Sequence, residues 1–196
     1  MIINSILDND TYKLAMQQAV LAYAPGTRVK YKFHNRRPEG KFTHEFLLRL
    51  QYEIKHMSRL YLFEGEKKFL YKHCPYLSST YINYLSHYQY FPPEVQYDIK
   101  DGELVLEISG PWEHTILWEV PLMAMISELY FKLCDTHWED YEDLISIRIR
   151  EKRHVLTGCK FADFGTRRRR SHGVHRLVVN DLIKSPGFVG TSNMLL

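Results

Sequence analysis

A chain of 196 residues has room for one large domain or two small ones, and 45% hydrophobic residues are enough to bury a core. Its 26 basic and 23 acidic side chains leave a net charge of +3, too little by itself to mark a binder of nucleic acid, and no apolar run reaches the roughly eighteen residues of a membrane-spanning helix. The cysteines, Cys74, Cys134 and Cys159, are odd in number, far apart and without CxxC spacing, which speaks against a disulfide framework or a zinc site and leaves ordinary buried thiols as the expectation.

The opening MIINSILDND shows neither the basic start nor the apolar middle of a secretion signal, so a cytoplasmic protein is expected. A first helix is predicted from about Asp10 to Ala24, where Tyr12, Ala15, Met16, Ala19, Val20 and Tyr23 recur at helical spacing and Pro25-Gly26 stops it. Asp10 or Asn9 is placed to cap its free N–H groups through a side-chain oxygen. Val29, Tyr31 and Phe33 alternate with Arg28, Lys30, Lys32 and His34, the pattern of a half-buried strand, which ends in the polar turn Asn35 to Gly40. A second helix carries Phe46, Leu50, Ile54 and Met57 inward, with Arg49, Glu53 and Lys55 as its wet side.

Residues 60–90 read as helix broken at Pro75, with Tyr71, Tyr76, Tyr81, Tyr84 and Tyr88 expected to pack at a helix–helix seam. Val95, Tyr97 and Ile99 alternate before Asp101-Gly102, and Leu104, Leu106 and Ile108 after it, a strong antiparallel hairpin signal. The turn SGPW, Ser109 to Trp112, closes this part. An apolar helix over Val120 to Leu133 follows, then an amphipathic one from Trp138 to about Leu156. Next come a short buried strand from Phe161 to Phe164, a helix from Arg169 to Lys184 with Val174, Leu177, Val178 and Leu182 inward, and a strand from Gly187 to Gly190. The expected fold class is α/β: a mixed α+β N-terminal domain over 1–110 with an antiparallel hairpin, then over 111–196 the first βα units of an α/β barrel. So few strands cannot close a barrel, so the chain is expected to be truncated or half of a longer product.

The chemistry concentrates where a strand gives way to a helix at DFGTRRRRS, Asp163 to Ser171. Barrel enzymes place their sites at such strand ends. Gly165 lets backbone approach a ligand, the helix start offers N–H groups, and arginines supply charge and forked donors for phosphate oxygens. A solvated basic face or a nucleic-acid patch using Arg167 to Arg170 is the competing reading. One strand later GFVGTSN, Gly187 to Asn193, repeats the arrangement, although Gly, Thr, Ser and Asn are also ordinary turn residues. His172 and His175 share a helix face at i, i+3, but no third ligand is in reach, so they are expected to be surface histidines and no metal site is expected from the chain's own residues.

SILDNDTYKLAMQQAV, FHNR, SGPW, LWEVPLMAMISELY, DFGTRRRRS and GFVGTSN occur in the order and rough spacing seen in nicotinate phosphoribosyltransferases, and the chain resembles the N-terminal half of that family. The resemblance implies a type II phosphoribosyltransferase-like fold and the formation of nicotinate mononucleotide and pyrophosphate from nicotinate and phosphoribosyl pyrophosphate, with Mg²⁺ present and ATP hydrolysed in step. It implies that Phe164 stacks on one face of the pyridine ring and that Tyr12, from the partner subunit of a homodimer, covers the other, with Asp10 beside it. Arg167 would face the phosphates and act as the catalytic cation, and Gly190, Thr191 and Ser192 would form the ring end of the pocket. Gly165, Thr166, Arg168 and Arg169 are counted with the substrate-binding residues. The family's phosphorylated histidine and carboxylate-reading arginine match nothing here; His172 and His175 are not that histidine. No nucleic-acid or membrane partner is expected. A nicotinamide-using relative remains an alternative, as does the basic nucleic-acid module.

Overall fold

The computed structural model describes residues 1–36, 41–137 and 142–196. Its first ten residues are not helical but are largely buried: Ile2, Ile3, Ile6 and Leu7 enter the core and carry Asp8, Asn9 and Asp10 inside with them. Helix α1, Thr11–Tyr23, follows. A three-stranded antiparallel sheet is built from β1 (Arg28–Lys32), β2 (Val95–Lys100) and β3 (Glu103–Pro111), with β3 in the middle. The β2–β3 hairpin turns at Asp101 and Gly102, whose φ values of 53° and 80° are what a two-residue type I′ turn demands.

Between β1 and β2 lie α2 (His44–Met57), α3 (Glu64–His73) and α4 (Ser79–His87). Short, one-turn α5 (Trp112–Thr115) leads into α6 (Glu119–Leu133), which packs on α2. The apolar face of α2, Phe46, Leu50, Ile54 and Met57, is fully buried as its spacing requires. The core runs from Ile2 to Cys134 through Trp118, Leu122 and Met125, with Met194 packed against it. The remainder is α7 (Glu142–Val155) and then a βαβ unit: β4 (Phe161–Asp163), α8 (His172–Leu182) and β5 (Phe188–Thr191), the two strands parallel. The hairpin, the helix order and this unit agree with the predicted mixed α/β class.

Several expectations need correcting. Asp10 stands at the N-cap of α1 but its side chain makes no cap hydrogen bond; its Oδ1 accepts from the Ser192 hydroxyl instead. On α1 the residues packed inward are Lys13, Leu14, Gln17 and Val20, whereas Met16 and Tyr23 are exposed. Glu53 is not on a wet face: it is 2% exposed and accepts a hydrogen bond from the backbone N–H of Ile2. Tyr81 and Tyr88 are buried in an aromatic chain that reaches Trp118 through Tyr90, but Tyr71 and Tyr76 face solvent. SGPW is no turn, since Ser109 to Pro111 extend β3 opposite Arg28 to Lys30.

Further along, the predicted helix start at Arg169 moves to His172, where the Ser171 hydroxyl accepts from Val174 N–H at 3.1 Å; Thr166–Arg168 form a separate 3₁₀ turn. Strand β4 is only partly buried, having β5 alone beside it, and it ends at Asp163. In α8 the fully buried residues are His175 and Val179, with the predicted inward set only partly covered. Cys74 is buried as expected, but Cys159 is exposed. The predicted turn over Arg37–Gly40 and helix start over Trp138–Tyr141 lie outside the described residues.

Candidate functional site

Three pieces of chain meet at the C-terminal ends of β4 and β5. Asp163 and Thr191 are register partners at those ends. The segment before α1 lies antiparallel to the chain after β5: Thr11 N–H donates to Ser192 O at 2.7 Å, and Met194 N–H to Asn9 O at 3.3 Å. Side chains add to the join. Ser192 Oγ donates to Asp10 Oδ1 at 2.6 Å, and Asn193 Nδ2 to Asp8 Oδ1 at 3.0 Å. Thr166 is buried close to Asn193. The predicted residues Asp10, Thr166, Thr191 and Ser192 are therefore parts of one hydrogen-bonded unit.

The four arginines go four ways. Arg169 is 1% exposed and meets Asp8 through two parallel bonds of 2.6 Å, a forked pair inside the protein. Arg170 lies over the Phe131 ring, 4.5 Å from its centroid. Arg168 is exposed. Arg167 is 40% exposed; its Nη1 donates to Glu119 Oε1 at 2.8 Å, and its Nε stands 3.9 Å from Asp10 Oδ2. Four cations pointing to four surroundings do not make one phosphate-tracking face, which removes the main support for a nucleic-acid patch.

Around Arg167 the electrostatics are tightly drawn. Glu119, at the start of α6, also takes the buried Lys13 ammonium as an ion pair. Burial pushes the Glu119 carboxyl up, but the Lys13 hydrogen bond, the Lys13 charge and Arg167 outweigh it and hold the group below the usual range. Burial, and after it the Asp10 carboxylate, pushes the Tyr12 phenol up, while Arg167 pulls it back. Tyr12 thus sits in the field of Asp10, Arg167 and Glu119 of its own chain. Asp10 Oδ2 is buried without a hydrogen-bond partner. Phe164, 63% exposed, projects just past the end of β4.

Asp163 ties the two strand ends. Its Oδ2 accepts from His175 Nε2 and from Thr191 Oγ, each at 2.7 Å, and its Oδ1 from Gly165 N–H at 3.1 Å. Burial pushes this carboxyl up, but the His175 and Thr191 hydrogen bonds, the His175 charge and the Gly165 N–H outweigh it and hold the group below its ordinary value. Gly165 is glycine for a reason other than a ligand's approach: a β-carbon there would lie 2.8 Å from Asp163 Oδ1 and 3.0 Å from His175 Nε2. Gly190 needs its residue type for conformation, with φ at 139°, and beside it is open space. His175 corrects the reading of two surface histidines, being 3% exposed.

Arg167 and Arg168 edge two adjoining cavities. One of about 370 Å³ runs over Tyr31, Lys32 and His34 to Glu119; the other, about 460 Å³, reaches Arg36, Phe42 and Tyr130. A larger hollow of about 640 Å³ lies at the opposite ends of the strands, by Cys159 and Gly187. Its Arg153 is already bonded to Ser185 Oγ at 2.6 Å. The two cavities beside Arg167 hold the better chemistry. Among the described residues, no three His, Cys, Asp or Glu side chains gather as a metal cage. Nor is any helix there long and apolar enough to cross a membrane.

Sequence reasoning missed Asp8, Lys13, Glu119, Asp163 and His175 as members of this site. A usable signal existed for two of them: Asp8 follows the apolar stretch ending at Leu7, and Glu119 is the single acid inside LWEVPLMAM.

The chain has relatives among known proteins. Residues 7–127 match the family model of the nicotinate phosphoribosyltransferase N-terminal domain, and residues 159–196 that of the nicotinate phosphoribosyltransferase family. The chain is 42% identical over 198 residues to a nicotinate phosphoribosyltransferase of Chromohalobacter salexigens, covering 99% of this chain and 50% of that protein. Against the enzyme of the same name from Desulforapulum autotrophicum the identity is 41%, with the same coverage. The crystal structure of nicotinate phosphoribosyltransferase from Porphyromonas gingivalis superposes with a TM-score of 0.91 at 34% identity, over 99% of this chain and 50% of that one. The chain thus spans about half the length of the curated relatives it matches.

Proposed function

Because the chain belongs to the nicotinate phosphoribosyltransferase family, we propose that it supplies the phosphate-facing and ring-stacking part of a site that joins nicotinate to phosphoribosyl pyrophosphate in NAD salvage. The observation that supports this reading is that Phe164 and Arg167 share the turn after β4, Phe164 largely exposed and Arg167 partly so, over a frame of buried hydrogen bonds.

The reaction breaks the bond from ribose C1 to the pyrophosphate oxygen and forms a bond from the pyridine nitrogen to C1. Positive charge builds on the sugar while the leaving group carries negative charge off. Arg167 stabilises the departing phosphates. Phe164 and Tyr12 hold the ring flat, each face contributing about 0.5–1.5 kcal/mol. Nicotinate's ring nitrogen already carries a free lone pair, so the protein needs no general base; it needs to aim the ring. The open space beside Gly190 suits a ring approaching the backbone.

Mg²⁺, ATP and a homodimer belong to the same proposal, as does a cytoplasmic location. Asp10 Oδ2, which makes no hydrogen bond and has the Arg167 Nε 3.9 Å away, fits a carboxylate oxygen for a Mg²⁺ that arrives on the diphosphate, where the ion would neutralise charge. For ATP the histidines of this site do not fit: His175 is enclosed against Asp163, and His172 lies beside Asp8 and Arg169. We derive no step through it. The test is turnover by the complete gene product, with nicotinate and nicotinamide offered in parallel beside phosphoribosyl pyrophosphate. Nicotinate-dependent release of pyrophosphate is expected. Use of nicotinamide alone, or of neither, would overturn the reading.

A further inference from the structure

The hydrophobic core does not reach the strand ends. Among the described residues, its buried members run from Ile2 to Leu129, with Cys134 and Met194 partly buried against it, and none comes from β4, α8 or β5. The turn after β4 and the loop after β5 therefore take their positions largely from polar contacts: some run to the N-terminal segment, at Asp8 and Asp10, and those that join the two loops to each other and to α8 meet at Asp163. Its two carboxylate oxygens bind Gly165 in the first loop, Thr191 in the second and His175 in α8, while Ser192 N–H donates to the Asp163 backbone oxygen at 2.9 Å.

His175 is the deepest of these partners. Its backbone is fixed in the first turn of α8, where its N–H donates to Ser171 O at 3.0 Å. An ionised carboxylate only accepts, so the imidazole presents Nε2–H to Asp163. Its Nδ1 is buried with no hydrogen-bond partner, so the polar contact its ring makes is the one from Nε2 to Asp163. Enclosing an imidazole and a carboxylate costs desolvation that an apolar pair of similar size would avoid. Here that cost goes into a bracket that sets the spacing between two loops.

We propose that His175 is a positioning residue for phosphoribosyl transfer, acting through Asp163 to hold the Phe164–Arg167 turn and the Gly190–Ser192 loop at one fixed separation. This rests on the functional reading above. A ring stacked on Phe164 and phosphates held by Arg167 react only if both loops keep their places, and a misplacement of about 1 Å can cost on the order of a hundredfold in rate.

The test compares His175→Leu, which fills the space without a donor, with His175→Gln, whose amide can still donate to Asp163. Both are made in the complete gene product and checked for folding by circular dichroism. The leucine variant is expected to lose about tenfold or more in kcat/KM for nicotinate, most of it in kcat, and the glutamine variant to return to within about threefold of wild type. Should the leucine variant not be recovered folded, His175→Asn, one carbon too short, takes its place with the same expectation. A leucine or asparagine variant that folds and keeps wild-type kcat/KM overturns the positioning role, as does equal loss in the glutamine variant. Wild-type protein without nicotinate-dependent turnover overturns the functional reading instead, and the positioning role with it.

Discussion

Arg169 and Asp8, 161 positions apart in sequence, face each other through two hydrogen bonds of 2.6 Å in a fully enclosed pair. Together with Asn193 on the same carboxylate, this pair fastens the N-terminal segment to the strand ends. Removing either partner leaves the other charge buried without the ion pair made for it. Asp8→Ala or Arg169→Ala should each cost about 3–5 kcal/mol of unfolding free energy, read from the shift in urea midpoint. Lysine at 169 should recover only part of it, since an ammonium cannot make the forked contact. Losses under about 1 kcal/mol would mean that the pair is open to water in solution.

Glu119 holds both Lys13 and Arg167, and its carboxyl titrates below its unfolded value of 4.5. A depressed folded pKa means that the contribution to stability is present above 4.5 and is lost as pH falls below it through the folded pKa. Glu119→Gln should therefore flatten the acid limb of the stability-versus-pH curve below about 4.5 and leave its slope near neutrality unchanged. Denaturant titrations at stepped pH would show this. An acid limb as steep as wild type would mean that Arg167 and Lys13 do not hold this carboxylate in solution.

Gly165 is hemmed in by the carboxylate it binds. An added β-carbon would sit 2.8 Å from Asp163 Oδ1 and 3.0 Å from His175 Nε2, both short and held in place. Gly165→Ala should therefore destabilise by about 1–3 kcal/mol, in the range of overpacking, even though the backbone conformation there suits alanine. Thermal unfolding checks it; a neutral or stabilising result would show that the bracket yields.

What the sequence made legible follows its periodicities. The period-two alternation around Asp101-Gly102 gives the β2–β3 hairpin in register, and the period of Phe46, Leu50, Ile54 and Met57 gives the inner face of α2. The strand ends with DFGT and GTSN announced a βαβ unit and where its ligand-facing loops lie. Polar residues buried by tertiary contact were not legible. Glu53, His175 and Asp8 each occupy a position whose local pattern reads as wet surface or loop, and only a partner distant in sequence, Ile2, Asp163 or Arg169, explains the burial. The same holds for the arginine block, which local composition presents as one charged feature and the fold divides among Glu119, solvent, Asp8 and Phe131.

Of the two arginines that edge the cavities, Arg168 is exposed, whereas Arg167 is partly exposed and steadied from one side by Glu119. In the complete gene product Arg167→Ala should lower kcat/KM for phosphoribosyl pyrophosphate by an amount equal to about 2–4 kcal/mol of transition-state stabilisation. Steady-state kinetics with nicotinate saturating would measure it. Unchanged kinetics would remove Arg167 from the phosphate site.

The exposed face of α1, with Met16 and Tyr23 in solvent and Tyr12 at its start, leaves room for a second subunit, and the shared-site proposal gives Tyr12 and Phe164 to opposite sides of one ring. If the ring is sandwiched across a dimer, Tyr12→Ala and Phe164→Ala homodimers should each lose ring binding at both of their sites. In a mixed population one heterodimer site lacks both aromatics, but the other keeps Tyr12 from one subunit and Phe164 from its partner. Mixing the two inactive variants after dissociation and reassembly should then restore activity, approaching about a quarter of wild type for random exchange with one intact site per heterodimer. If both aromatics act within one chain, every site in the mixture lacks one of them and nothing is regained. Activity that stays at the level of the separate variants, with exchange verified by mass, would assign Tyr12 to the ring site of its own subunit.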